Sequence, residues 1–134
     1  MDLREEILAL NDLKQETITI PEWGGKKFIV REMNGEERQE FYSACMTGGK
    51  FDSRITPFAV TALCLRDSET ENRVFGIDDI PALKNKSGGA IERISGIGMR
   101  LSGLTESDAE SAEKNSSTVI PNSSSTTRSR KNSE

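Results

Sequence analysis

The sequence predicts an α+β fold: a small, mainly α-helical domain with one β-hairpin, followed by a disordered C-terminal tail. Three observations predict it. Residues Thr17-Ile18-Thr19-Ile20 alternate with period two and are all β-branched, and the β-prone run Lys27-Phe28-Ile29-Val30-Arg31 returns after Gly24-Gly25. Helix-start and helix-stop signals bracket the segments on either side of this hairpin. Past Gly103-Leu104, apolar residues almost vanish and Ser and Thr dominate, as in Ser123-Ser124-Ser125-Thr126-Thr127.

The elements follow in order. Asp2 caps a first helix expected to run through Asn11, with Glu5 three residues on as its capping-box partner and Ile7, Leu8 and Leu10 on its apolar side. The hairpin occupies residues 16–32, with Pro21 ending the first strand's ladder. A lone two-stranded hairpin is barely stable, so Ile18, Ile20, Phe28 and Val30 are expected to pack on helices. Asn34 and Glu37 form a second capping box, opening a helix over about 35–47 with Phe41, Tyr42, Ala44 and Cys45 inward and Gly48-Gly49 as its stop. Pro57 suits the first turn of a third helix, about 56–66, which Phe58, Val60, Ala62, Leu63, Cys64 and Leu65 make apolar nearly all round. Such a helix is central to the core or covered by a partner. A polar loop runs from Arg66 to Arg73, and a short helix is expected over 78–84.

The last ordered helix spans about 87–102, with the stripe Ala90, Ile91, Ile94, Ile97 and Leu101 at i, i+3, i+4 spacing. It also holds Gly88, Gly89, Gly96 and Gly98, and a mid-helix glycine costs roughly 0.5–1 kcal/mol relative to alanine. Two readings stay open: a C-terminal core helix using small residues for close packing, or a helix that orders on a partner. The domain is thus read as residues 1–104, and residues 105–134 as a Ser/Thr-rich flexible tail. Thr105 and Asp108 offer one extra helical turn, and disorder is expected from about residue 115.

The chemistry available is limited. There is no histidine among the 134 residues, which removes the commonest general base and a frequent metal ligand. Cys45 and Cys64 are isolated among apolar neighbours and read as reduced core thiols rather than a disulfide. The carboxylate pairs Glu5-Glu6, Glu36-Glu37 and Asp78-Asp79 lie in first turns of helices, where acids favour the dipole. Gly96-Ile97-Gly98 lacks the third glycine and the preceding strand of a dinucleotide loop. No catalytic set, cofactor site or metal site emerges. A net charge of −4 argues against phosphate-backbone binding, so no nucleic-acid partner is expected. No apolar run approaches the roughly 20 residues of a membrane span, and acids occupy the place of a signal peptide's basic region, so a cytosolic protein without a membrane partner is expected.

The candidate partner-binding residues are Trp23, Ile91, Ile94, Ile97 and Leu101. Trp23 stands at the hairpin tip in Pro21-Glu22-Trp23-Gly24-Gly25, where it serves either as a lid over the hairpin or as an interface anchor. The helical stripe offers apolar surface for a client or for self-association.

Several pieces taken together resemble a family. They are Glu5-Glu6-Ile7-Leu8-Ala9 with Asp12-Leu13, then Ile20-Pro21-Glu22-Trp23-Gly24, then Val30-Arg31-Glu32-Met33-Asn34-Gly35-Glu36-Glu37-Arg38 before Phe41, and finally Arg100-Leu101-Ser102-Gly103-Leu104-Thr105-Glu106. In this order they are similar to the tail assembly chaperones of long-tailed bacteriophages, over about residues 3–106. The Gly-rich 88–98 segment departs from the family's Ala- and Leu-rich helix, and the tail matches no family pattern. The resemblance implies a non-catalytic assembly factor of the host cytoplasm. It implies binding to the long, apolar, helical tape measure protein during virion assembly and absence from the mature virion. It also implies association with itself and with a longer form made by −1 ribosomal frameshifting, which recruits the major tail protein. Glu113-Lys114-Asn115 and Arg130-Lys131-Asn132 allow the slippery run such a shift needs. A small cytosolic adaptor or regulatory binding protein unrelated to tails is the competing reading.

Overall fold

The computed structural model describes residues 2–104. The expectations for the tail, namely the extra turn at Thr105 and Asp108, the disorder and both frameshift runs, lie outside the described residues. The elements are α1 (Leu3–Ala9), β1 (Gln15–Ile20), β2 (Lys26–Arg31), α2 (Gly35–Cys45), β3 (Met46–Thr47), β4 (Lys50–Phe51), α3 (Thr56–Cys64), β5 (Leu65–Asp67), α4 (Ile80–Leu83) and α5 (Gly88–Leu101). Short 3-10 turns at Pro21–Trp23, Ser53–Ile55 and Ile77–Asp79 join them.

The α+β reading holds, and both capping boxes form. Asp2 accepts from the Glu5 amide at 2.8 Å while Glu5 accepts from the Asp2 amide at 3.1 Å. Asn34 and Glu37 do the same at 2.8 and 3.0 Å. The hairpin pairs Ile18 with Phe28 and Glu16 with Val30, which puts Ile18, Ile20, Phe28 and Val30 on one face. Ile20 and Val30 are fully buried there, and Ile18 and Phe28 pack half-buried beside them.

The sheet differs from expectation. A third strand, β5, adds to the far edge of β2, with Leu65 opposite Val30 and Asp67 opposite Phe28. The apolar run through Leu65 reads as helix, but α3 stops at Cys64 because Leu65 turns extended to meet the unpaired edge of β2. That pairing is tertiary and leaves no periodic trace in three residues. Most of the remaining boundaries are shorter than expected. α1 ends at Ala9 rather than Asn11, α2 ends at Cys45 where a two-residue hairpin of β3 and β4 begins, and α4 is a single turn after a 3-10 turn.

The core forms where α3 lies between α2 and α5. Its Ala59, Val60, Ala62, Leu63 and Cys64 are all buried, so the helix that reads as apolar all round is central. α5 closes one side of it. A β-carbon placed on Gly98 would lie 2.6 Å from Val60 Cγ1 and 3.0 Å from Cys64 Sγ, whereas one on Gly96 would meet nothing within 4 Å. The two glycines therefore differ in kind: Gly98 sets the distance between the helices, and Gly96 faces open space.

The end of α5 is tied down as firmly as its middle. Gly103 takes a left-handed conformation (φ 71°), the Leu104 amide donates to Met99 carbonyl at 2.8 Å and the Gly103 amide to Arg100 carbonyl at 3.1 Å. Leu104 is thereby folded back into the core. Ser102 Oγ accepts from the Met33 amide at 3.0 Å, and the Arg38 guanidinium donates to the Ser102 carbonyl. Ion pairs Arg93–Glu22 (2.8 Å) and Arg100–Glu16 (2.7 Å) join α5 to the hairpin and, being exposed and screened by water, add little to stability. Thermal or urea unfolding separates the two glycines. Gly98→Ala destabilises by about 1–3 kcal/mol through overpacking, while Gly96→Ala stabilises by about 0.5–1 kcal/mol through helix propensity.

Candidate functional site

All five residues singled out as partner contacts pack in or against the core. Ile94 is fully buried, Ile91 is 3% exposed and Leu101 is 8% exposed, while Ile97 packs half-buried against the same cluster. In this conformation Ile91, Ile94 and Leu101 have almost no surface to offer a partner. An amphipathic stripe shows that one helix face must be covered, and here α3 and the sheet cover it. Ile94→Asp is accordingly expected to abolish the native circular dichroism spectrum.

Trp23 is half-buried and does what a lid does. Its ring packs edge-on against Phe28 and Phe75, with centroids 6.1 Å apart in both pairs. It also lines a surface groove of about 820 Å³, together with Lys26, Lys27, Phe28, Asp67, Ser68, Glu69 and Val74. The groove forms because β5 widens the sheet beside the hairpin tip and the chain then turns back, with Arg66 bridging Arg73. Asp67 shapes that turn by accepting from the Glu69 and Thr70 amides at 2.7 and 3.2 Å, bonds that hold its carboxyl below the usual range.

The largest exposed apolar surface lies elsewhere. α1 has no buried residue, and Leu3, Ile7, Leu8 and Leu10 are 54–70% exposed. The sequence shows an apolar side to this helix but not that the described residues leave that side bare. The available signal is its length, since seven residues are few for a helix that is to bury a face.

The buried titratable groups have structural roles. Cys45 and Cys64 are both free and buried, as expected, and burial pushes their thiols up to about 11 and about 12. Glu37, 3% exposed, caps α2 with one carboxylate oxygen and accepts from Arg66 (2.8 Å) and Arg73 (3.0 Å) with the other. It thus ties α2 to β5 and to the segment that follows the turn. Among the described residues, no group of three or more His, Cys, Asp or Glu could hold a metal ion, and no helix is long and apolar enough to cross a membrane.

Among the described residues the local picture is therefore a folded core with an exposed short helix and a groove lined in part by Trp23 and Phe28. No protein-family model matches the sequence, and no curated protein matches it. Among solved structures, that of the bacteriophage HK97 tail assembly chaperone is similar, with a TM-score of 0.55 and 20% identity over 74% of this chain and 91% of that one. The chain shares the fold of that protein. In this fold, the disposition of α3 and α5 accounts for the burial of the helical stripe.

Glu37 also makes the fold acid-sensitive. Burial alone would raise its pKa, but bonds from the Asn34 backbone and Arg73 and the charge of Arg66 outweigh it and hold the carboxyl below its ordinary 4.5. A depressed folded-state pKa gives stability that is present in full above the unfolded value and lost as pH falls through the folded one. Denaturant titrations from pH 7 to pH 3 test this: Glu37→Gln loses about 2 kcal/mol at pH 7 and shows a flatter decline below pH 4.5 than the parent.

Proposed function

We propose that this protein is a non-catalytic phage tail assembly chaperone that binds the tape measure protein in the host cytoplasm during tail assembly and is absent from the mature virion. The observation that carries the reading is the fold it shares with the HK97 tail assembly chaperone over most of both chains. The family-like residues between Glu5 and Glu106 support it independently. In the same reading, a longer −1 frameshifted form sharing this domain recruits the major tail protein.

The chemistry of the groove suits such a client. A tape measure protein is long, helical and apolar, and is exposed to water until the tube closes around it. Trp23, Phe28 and Val74 offer aromatic and aliphatic contact to one face of an apolar helix. Lys26, Lys27 and Glu69 at the rim stay in water and limit non-specific association. Residues of this kind act by covering surface, with no chemical step.

Co-expression with the tape measure protein of the same phage tests the proposal. The chaperone is expected to bring the client into the soluble fraction and to co-elute with it. Val74 is 39% exposed, so Val74→Glu leaves the fold intact. A charge buried against an apolar helix should cut recovery of the client by about tenfold or more. A client that stays equally insoluble with and without the chaperone overturns the reading, and full recovery with Val74→Glu removes the groove from it.

A further inference from the structure

We propose that the acidic segment 105–114 of this chain docks on the basic outer face of the chain's own three-stranded sheet, against Arg31 and Arg66. The proposal is independent of the proposed function.

The sheet has two unlike faces. One carries Ile20, Val30 and Leu65 into the core beside α3 and α5. The register sets the other. Thr17 stands across from Ile29, and Ile29 across from Arg66, so these three point the same way. Lys27 and Arg31, two positions on either side of Ile29, point with them. Arg73 joins the face through its bridge to Arg66. The outer face thus carries Lys27, Arg31, Arg66 and Arg73, and its strands bring no carboxylate to it.

The acids that reach this face come from α2 and leave it short of negative charge. Arg66 and Arg73 share one Glu37 oxygen, at 2.8 and 3.0 Å, and Arg73 also meets Glu40 at 3.0 Å. Arg31 makes no ion pair among the described residues. Nε of Arg31 and Nε of Arg66 are both buried with no hydrogen-bond partner there. Burial, together with the charge of Arg31, holds the Arg66 guanidinium below its usual range despite Glu37. Cations that are partly out of water and repel one another are stabilised by a carboxylate placed between them.

The chain carries such carboxylates directly after α5. Residues 105–114 hold Glu106, Asp108, Glu110 and Glu113 against Lys114 alone. Glu106, Glu110 and Glu113 recur at i, i+4, i+7, the spacing that lines one side of a helix, and Ser111 falls off that side. The end of α5 lies at the correct end of the sheet, because Ser102 Oγ accepts from the Met33 amide at 3.0 Å. Arg31 stands two residues before Met33 and Glu106 four after Ser102, spans of at most about 7 and 14 Å. A tether this short holds the acids near the face at an effective concentration of roughly millimolar, so ion pairs that are weak singly act together. Docking also covers a basic face that otherwise attracts polyanions.

Paramagnetic NMR of the full chain tests this. A nitroxide is attached through a maleimide at Ser111→Cys, the native Cys45 and Cys64 being buried. In dilute protein at low salt, the amide signals of Thr17, Ile29, Arg31 and Arg66 are expected to lose most of their intensity. They recover at about 1 M salt, where the Debye length is about 3 Å. They also recover in Glu106→Gln/Glu110→Gln/Glu113→Gln, whose other signals stay in place. Broadening that persists in this triple variant, that falls elsewhere on the domain, or that is absent at low salt overturns the proposal. So does equal broadening in isotope-labelled chains mixed with spin-labelled ones, which would mean that the segment reaches another copy. A short single-stranded DNA that shifts Arg31 and Arg66 equally with and without the three glutamates would assign the face to a phosphate backbone instead, and also overturns it.

Discussion

The close approach of α5 to α3 at Gly98 is the constraint on which the remaining packing depends. With no side chain there, the Val60 and Cys64 side chains lie where any β-carbon would stand. That proximity buries Ile91, Ile94 and Leu101 at once and makes α5 a support for the sheet. The hairpin gains a floor, β2 gains a second neighbour in β5, and Trp23 is held at the tip by Phe28 and Phe75. The intrinsic weakness of a glycine-bearing helix is offset by what the glycine admits.

Much of this was legible in the sequence where the signal is local. The hairpin, the two capping boxes and the two reduced thiols each follow from residues within a few positions of one another, and α3 was narrowed to a helix central to the core or covered by a partner. Non-local features were not legible. β5 exists only because Leu65 meets Val30 across the sheet. Gly96 and Gly98 look alike in the sequence, and only the position of α3 distinguishes them. The stripe on α5 announces that one helix face is covered, but the same periodicity describes a face covered from within and one covered by a partner. The fold resolves that ambiguity in favour of the interior, and of the five residues marked as partner contacts Trp23 alone lines the groove.

The surfaces left for recognition share a physical logic. Under the proposed function, the contact offered to a client must be apolar without causing the protein's own aggregation. Here that contact is divided into two small parts, a seven-residue helix and a groove beside charged rims. Each part is small enough to bind reversibly. The buried Glu37 network ties α2 to β5 and to the segment after the turn behind the groove.

The central claim is that α5 belongs to the core and α1 to the surface. Native-state hydrogen exchange in dilute solution without partners tests it most directly, because exchange reports the free energy of opening for each amide. The account predicts that the amides of Ile94, Gly98 and Leu101 exchange only through global unfolding, while those of Glu6 to Ala9 exchange close to the rate of an unprotected chain. Fast exchange in α5, comparable to that in α1, would contradict it and show that α5 is a helix waiting for a partner.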